Sequence, residues 1–234
     1  MLDLFFGSTN AGKVRELRRL VHGLPVRVVT PPELGRPVPD VEEDGATFRA
    51  NAEKKASEYA RFAGMHALAD DSGLCVDALA GAPGVHSARW SEIDGGPASP
   101  ACALPLAAVR ELGPELARAS RDEANNDKLL AALSGVADPR RGAAYVAVLA
   151  IAAPDGTIVA QVEGSCRGRI GYSRSGNGGF GYDPLFIPES HEATAARTMA
   201  ELDPAEKDAL SHRGAAFRAL RPFLEKLAFD KNAS

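Results

Sequence analysis

The order of hydrophobic and polar positions predicts strands and helices that alternate from the start of the chain. Residues 2–6 (LDLFF) form a short apolar run typical of a buried strand, and apolar residues then recur at helical spacing from Val14 to Val21. The apolar segment 26–30 (VRVVT) predicts a second strand. An opening of strand, loop, helix and strand is typical of α/β proteins.

Two β-rich segments further along the chain, 143–153 and 157–166, are joined by the turn residues Pro154, Asp155 and Gly156. This arrangement is typical of a β-hairpin, whose strands are antiparallel. Strands separated by a helix are instead expected to pair in parallel. The sequence therefore predicts an α/β fold with a mixed β-sheet and flanking helices.

The C-terminal region is predicted to be helical. Asp203 is a good N-cap, and Glu206 follows it at the spacing of a capping box. On one continuous helix Lys207 and Ser211 would share a face, whereas His212 would point elsewhere. We therefore expect a break near Ser211, which would cap a separate final helix.

Composition narrows the class of protein. The 234 residues suffice for one large domain or two small lobes, and 45% apolar with 25% charged residues is ordinary for a soluble globular protein. A net charge of −4 gives no support to a nucleic-acid-binding surface. Three widely spaced cysteines without a CxxC pattern, and an N-terminal apolar run too short for a signal peptide or membrane span, favour a cytoplasmic protein.

A loop of small residues between the first strand and the first helix is the first candidate binding site. Its backbone amides and the helix N-terminus would favour phosphate, and Lys13 adds a positive charge. The loop matches GxxxxGK, but Val14 stands where a P-loop needs Ser or Thr to bind magnesium. The loop therefore predicts phosphate binding without a Walker-type metal site; the alternative is a tight turn with a solvated lysine.

Carboxylates elsewhere would then have to bind the metal. Asp70 and Asp71 follow a short predicted strand at 66–69 (HALA), at the strand end where α/β proteins place ligands. Because adjacent strand residues point to opposite faces, one is expected to serve the site and the other to support it. Glu43 is a candidate second ligand for Mg²⁺. The alternatives are a polar turn for the pair and helix capping for the cluster 42–44.

A glycine-rich loop at 176–184 carries two aromatic residues and a carboxylate. Phe180 and Tyr182 could stack on a base, and Asp183 could accept hydrogen bonds from base or ribose; alternatively, the aromatic rings fill the core. A late basic group is the last candidate, with a solvated helix face as its alternative; it comprises Lys207, Ser211, His212 and Arg213.

Taken together, these motifs resemble the inosine triphosphate pyrophosphatase family, the bacterial XTP/dITP diphosphatases. Five stretches carry the resemblance, in family order and over nearly the whole chain: STNAGKVREL (8–17), EDGATFRANAEKKA (43–56), ALADDSGLCVDALAGAPGVHSARW (67–90), GNGGFGYDPLFIP (176–188) and EKDALSHRGAAF (206–217).

The resemblance implies a single catalytic domain of two lobes around a long mixed sheet, with the active site in the interlobe cleft, and a homodimer. The implied reaction converts a deaminated purine nucleoside triphosphate (dITP, ITP, XTP or dXTP) and water to the monophosphate and pyrophosphate. Residues 91–124 depart from the family pattern as a partly inserted loop or helix, and 229–234 is expected to be a frayed tail.

The resemblance also implies roles for individual residues. Glu43 and Asp71 would bind Mg²⁺, with Asp71 the general base. The residues expected to bind substrate are Ser8, Thr9, Asn10, Ala11, Gly12 and Lys13 at the phosphates, Ser72 nearby, Phe180, Gly181, Tyr182 and Asp183 at base and ribose, and Lys207, His212 and Arg213 completing the pocket. Two rival functions stay open, a P-loop-like ATPase or kinase and a non-catalytic nucleotide-binding module.

Overall fold

A computed structural model describes residues 1–93, 114–189 and 196–233. Six strands form one mixed sheet in the order β2-β1-β3-β4-β5-β6. They are β1 (Leu2–Phe6), β2 (Val26–Val29), β3 (Ala67–Val76), β4 (Gly142–Ala152), β5 (Ile158–Ile170) and β6 (Phe186–Pro188). Strand β1 pairs in parallel with β2 and β3, whereas β5 and β6 are antiparallel. The predicted α/β fold with a mixed sheet is confirmed.

The helices are α1 (Ala11–Leu20), α2 (Pro31–Leu34), α3 (Phe48–Ala63), α4 (Pro114–Ala132), α5 (Pro204–Leu210) and α6 (His212–Ala233). Short 3₁₀ segments lie at Asp77–Leu79, Gly84–Glu92 and Met199–Glu201. Of the segment 91–124, for which the sequence predicts a partial insertion, residues 94–113 lie outside the described residues and 114–124 belong to α4. Helix α6 continues through most of the predicted tail. Among the described residues, no helix combines the length and apolar character needed to cross a membrane.

Strand β3 is longer than the sequence predicts. The sequence predicts that the strand ends where Asp70 and Asp71 begin, with a polar turn as the alternative, but the strand continues to Val76 and contains both residues. Both carboxylates are buried, and each is bonded to cationic side chains. Charge pairing therefore allows a strand to hold residues whose composition is typical of a turn.

The predicted break between the last two helices is confirmed. Asp203 and Glu206 form a capping box, since the Glu206 N–H donates to Asp203 Oδ1 at 2.9 Å and the Asp203 N–H donates to Glu206 Oε2 at 3.0 Å. Helix α5 ends at Leu210, and the Gly214 N–H donates to Ser211 Oγ at 3.0 Å. Ser211 thus caps α6, as the sequence predicts.

The described chain divides into two compact units, the first formed by residues 1–72, 146–165 and 211–234. Strand alternation gives this unit two apolar clusters. Leu4 of β1 packs in one cluster with residues of α6 that include Phe217. The next residue along β1, Phe5, packs in the other with Ala52 and Ala56 of α3.

The second unit comprises residues 73–145 and 166–210. Its core includes Leu74, Leu129 and Phe186, and the rings of Tyr145 and Phe186 are 4.6 Å apart. Arg141 is buried in this unit and donates to four backbone carbonyl groups, so its charge is well solvated by peptide dipoles.

Gly164 of β5 allows the first turn of α6 to approach the strand closely. A Cβ atom at this position would collide with the backbone of His212 and Ala216. The absence of a side chain at Gly164 therefore helps to fix where α6 begins, and with it the positions of His212 and Arg213.

We expect Gly164→Val to lower the free energy of unfolding by about 1–3 kcal/mol, because overpacking displaces α6. Valine is favoured in strands, so local backbone preference does not explain such a loss. Urea denaturation would measure it, with Ser165→Ala at the neighbouring exposed position as the control. Equal stability of the Gly164→Val variant and the wild type would contradict this packing argument.

Candidate active site

Side chains of the loop before α1 accept hydrogen bonds from nearby backbone N–H groups. Asn10 is the N-cap of the helix, and its Oδ1 accepts from the N–H groups of Gly12 at 2.9 Å and Lys13 at 3.3 Å. Ser8 Oγ accepts from the Asn10 N–H at 3.2 Å. Two of the amides that the sequence assigns to phosphate therefore serve the cap, and the Lys13 side chain becomes the main cationic group of the loop.

Asp70 lies at the centre of a buried charge cluster in the first unit. Its Oδ1 accepts from Lys13 Nζ at 2.9 Å, and its Oδ2 accepts from Arg213 Nε. The Arg213 guanidinium also donates from Nη1 to Glu16 Oε2 at 2.5 Å and from Nη2 to Ser72 Oγ at 2.9 Å. Asp70 thus connects the start of α1 to the start of α6.

Electrostatics keeps this cluster ionised. Burial alone would raise the pKa of Asp70, but Arg213 and Lys13 outweigh it and hold the pKa well below its usual value. Burial would lower the pKa of Arg213, but Asp70 and Glu16 raise it. The pKa of Lys13 is lowered, chiefly by burial, with Asp70 opposing. The Lys13 side chain is 18% exposed, more than those of Asp70, Glu16 and Arg213, so it is the charged side chain of the cluster that a ligand can best approach.

Asp71 belongs to a second set of contacts. Lys55 Nζ donates to Asp71 Oδ1 at 2.8 Å, to Glu43 Oε1 at 2.7 Å and to the Asp70 carbonyl oxygen at 2.9 Å. The Asn51 amide donates to Asp71 Oδ2 at 3.4 Å. Adjacent strand residues therefore serve different partners, as the alternation of side chains along β3 predicts.

Glu43 is held in this second set by the chain around it. Thr47, and not the cluster 42–44, is the N-cap of α3, so helix capping does not explain these acidic residues. Asn51 Oδ1 accepts from the Gly45 N–H at 2.8 Å, which fastens the segment before α3 to the helix. The Glu43 carboxylate reaches Lys55 from there and is 29% exposed.

Two carboxylate oxygens therefore converge on one point in the first unit, the ammonium group of Lys55. Burial raises the pKa of Asp71, with Lys55 opposing. Oxygen ligands of this kind suit Mg²⁺, which commonly takes one or two carboxylates and completes its shell with water and substrate oxygens. Within the described ranges no group of three or more His, Cys, Asp or Glu residues is placed to hold a metal ion. The donor set of Glu43 and Asp71 fits magnesium shared with a substrate.

The glycine-rich loop of the second unit is organised by Asp183. Its Oδ2 accepts from the Phe180 N–H at 2.8 Å and from Lys207 Nζ at 2.7 Å. The Lys207 ammonium also lies 4.7 Å from the centre of the Phe180 ring, a cation–π distance. Sequence-predicted residues Phe180, Asp183 and Lys207 are thus brought together.

The two aromatic residues of the loop differ. The Tyr182 ring is buried in the core of the second unit, and its hydroxyl donates to the Ser87 carbonyl oxygen at 2.9 Å. Phe180 is only partly buried, so of the two rings it is the one that a ligand can contact. The core alternative therefore applies to Tyr182, and base stacking is left to Phe180.

The residues of the late basic group belong to different elements. Lys207 is buried in the second unit, on α5, and His212 and Arg213 are buried at the start of α6 in the first.

Sequence reasoning missed several side chains that organise these contacts. A helical signal was available for two of them, since Asn51 and Lys55 are four residues apart on α3 and share the face of its buried alanines. Glu16 gave no such signal, because its partner Arg213 is remote in sequence. The others are Asp122 and Asn126, described below.

Comparison with known proteins gives the family of this chain and agrees with its fold. The Ham1 family model matches residues 4–223. A protein of Anaeromyxobacter dehalogenans named dITP/XTP pyrophosphatase is 68% identical, covering 97% of this chain and 99% of that protein. One of the same name from Streptomyces coelicolor is 42% identical over 97% and 99%. The structure of a HAM1 protein from Coxiella burnetii matches with a TM-score of 0.74 and 35% identity, covering 97% of this chain and 100% of that one.

The fold and site define an α/β protein in which a lysine in the first turn of α1 is bonded to a strand carrying paired carboxylates. The chain belongs to the Ham1 family, whose model spans most of its length. The family resemblance predicted from the five motifs is confirmed.

We expect Arg213→Met to lower the free energy of unfolding by about 3–5 kcal/mol, because it leaves Asp70 and Glu16 buried with one cation fewer. Arg221→Met is the matched control, since Arg221 lies on the same helix in an exposed ion pair with Glu225, whose loss costs about 0–1 kcal/mol. Denaturant unfolding of both variants measures the difference. Similar losses in the two would show that the buried cluster does not stabilise the fold.

Proposed function

We propose that this protein hydrolyses deaminated purine nucleoside triphosphates, namely dITP, ITP, XTP and dXTP, to the monophosphate and pyrophosphate. The observation that carries the proposal is the convergence of Glu43 and Asp71 on one ammonium group, next to the pair formed by Lys13 and Asp70. The relatives that bear the name dITP/XTP pyrophosphatase match nearly their full length, which supports the same activity here.

Phosphate binding is assigned to the loop before α1. The Lys13 ammonium uses one donor on Asp70 and has further donors to offer to phosphate oxygens. Ser8, Thr9, Ala11 and Gly12 are small enough to let a triphosphate approach the backbone. Val14 offers no hydroxyl, so the loop holds phosphate and leaves any metal to the carboxylates.

Magnesium is the proposed cofactor, and Glu43 and Asp71 are the residues that would hold it. When bound, it would supply charge neutralisation on the phosphate oxygens. Four carboxylates (Glu16, Glu43, Asp70, Asp71) face three cations (Lys13, Lys55, Arg213) in the contacts of the first unit. This excess of negative charge favours a cation beside a polyanionic substrate.

Homodimeric assembly and a cytoplasmic location stay predictions.

Asp71 is the proposed general base. Its carboxylate is buried and lies beside Glu43, with which it shares the Lys55 ammonium. Lys55 and Asn51 hold both oxygens and orient the carboxylate. Asp70 is unsuited to this step because two cations occupy it, so its role is to position Lys13 and Arg213.

Contact with the base is assigned to Phe180 of the second unit. Hypoxanthine and xanthine carry a 6-oxo acceptor, whereas adenine carries an amino donor. Hydrogen-bond donors that pair with the 6-oxo group would face the amino group of adenine unpaired. A buried donor left unpaired by adenine costs about 1–3 kcal/mol, which corresponds to roughly ten- to hundredfold discrimination.

The function is tested by pyrophosphate release from dITP, XTP, dGTP, ATP and dTTP with Mg²⁺. We expect dITP and XTP to be the preferred substrates, and Asp71→Asn to lower kcat about 10²–10⁴-fold, the range of a lost general base. Asp77→Asn is the control, since Asp77 pairs with Arg167 in an exposed contact.

Three results would contradict the proposal. Release of orthophosphate would instead favour an ATPase or kinase. Tight binding of ITP without turnover would favour a non-catalytic module. Full activity of Asp71→Asn would remove the assignment of the base.

Lys13→Met should raise the KM for dITP about tenfold or more, because a charge-assisted contact to phosphate is lost. Lys54→Met is the matched control, since Lys54 pairs with Asp44 in an exposed contact. Steady-state kinetics measures both. A KM for Lys13→Met equal to that of Lys54→Met would contradict the assignment of phosphate to this loop.

A further inference from the structure

Side chains of helix α4 form hydrogen bonds with both backbone polar groups of Gly181, which lies in the glycine-rich loop. The Gly181 N–H donates to Asp122 Oδ2 at 2.9 Å, and the Gly181 carbonyl oxygen accepts from Asn126 Nδ2 at 2.9 Å. Asp122 and Asn126 are four residues apart, so they project from the same face of the helix. Gly181 has a φ of +62°, a conformation that side chains rarely adopt.

A second pair on α4 holds the same loop at another point. Arg174 Nη2 donates to the Glu123 carbonyl oxygen at 3.0 Å and to Asp127 Oδ1 at 2.7 Å. Of the two attachment points, Arg174 lies two residues before the glycine-rich loop and Gly181 lies within it. Successive residues of α4 therefore fix a loop whose glycines would otherwise give it many conformations.

The side chains of Asn126 and Asp122, which bond to Gly181, are polar, so their burial has a free-energy cost. Asn126 is 1% exposed, and its Oδ1 has no hydrogen-bond partner in the described part of the chain. Asp122 is partly buried, and burial raises its pKa, with the Gly181 N–H opposing. An unsatisfied buried acceptor destabilises a fold. An apolar pair would fill this space without that cost, so the bonds to Gly181 indicate a positional requirement.

Fixing Gly181 also fixes the residue before it. The Phe180 N–H is bonded to Asp183, and the next N–H along the chain is bonded to Asp122. The Phe180 ring lies beside the Lys207 ammonium. The N–H groups of Phe180 and Gly181 are each bonded to a different side chain. Two carboxylates and one amide therefore fix the backbone from which the Phe180 side chain projects.

We infer that Asp122 and Asn126 are positioning residues for base recognition, which hold the Phe180 ring in the orientation that stacks on a purine. This inference rests on the proposed function, in which Phe180 contacts the base. Stacking depends on ring orientation over a few ångströms, so a loosened loop should weaken binding of the base and leave binding of phosphate intact.

The test compares two ligands by calorimetry, dIMP, which carries the base, and inorganic tripolyphosphate, which has none. We expect Asp122→Leu to raise the Kd for dIMP about tenfold, because it removes an acceptor for the Gly181 N–H, while the Kd for tripolyphosphate is unchanged. Asp122→Asn retains an oxygen acceptor and should restore most of the affinity for dIMP. Arg121→Ala, at the exposed neighbouring position, is the control.

A second variant keeps the test independent of one substitution. Asn126→Leu keeps a similar volume and removes the donor to the Gly181 carbonyl, and it should weaken dIMP binding in the same selective way. An unchanged Kd for dIMP in folded Asp122→Leu and Asn126→Leu would overturn the inference. Equal losses for dIMP and tripolyphosphate would also overturn it, because they would show a general loss of structure.

The result that would contradict the proposed function differs from the results that would overturn this inference. A wild type that binds dIMP but releases no pyrophosphate from dITP contradicts the hydrolase, while the selective loss of dIMP binding in the variants would still support positioning by α4. A wild type that binds neither ligand contradicts both.

Discussion

The carboxylate of Asp70, enclosed by Lys13 and Arg213, is the contact on which the rest of the first unit depends. It joins three segments that are far apart in sequence, namely the start of α1, the middle of β3 and the start of α6. Because Asp70 and Arg213 are buried, neither can lose its partner without a large free-energy cost, and the three segments are held in one arrangement. Every candidate phosphate or metal residue of this unit is placed relative to that arrangement.

The neighbouring carboxylates of Asp70 and Asp71 therefore have different roles. Asp70 is saturated by cations and stays ionised, so it serves as a support. Asp71 shares Lys55 with Glu43 and has a raised pKa. Chemically identical side chains therefore acquire different properties from their partners alone, a pattern common where an acid and a base must coexist.

Much of the fold could be predicted from the sequence, because hydrophobic spacing and capping are local signals. The hairpin after Ala153 and the cap at Ser211 are examples. The extent of β3 could not be predicted, because only remote cations make a buried Asp70-Asp71 pair stable in a strand. For the candidate site, motifs identified the loops, whereas partners such as Glu16 and Asp122 escaped because long-range contacts leave no periodic signal.

The continuation of β3 through the acidic pair has a consequence for how this sequence can change. In a strand, the face that a side chain occupies depends only on whether its position is odd or even. Deleting one residue before Asp70 would move Asp71 into the place of Asp70, beside Lys13 and Arg213. Inserting one residue would move Asp70 into the place of Asp71, beside Lys55. Had the pair lain on a flexible loop, such a change could be absorbed. In β3 it would give one carboxylate the partners of the other while leaving the composition of the protein almost untouched.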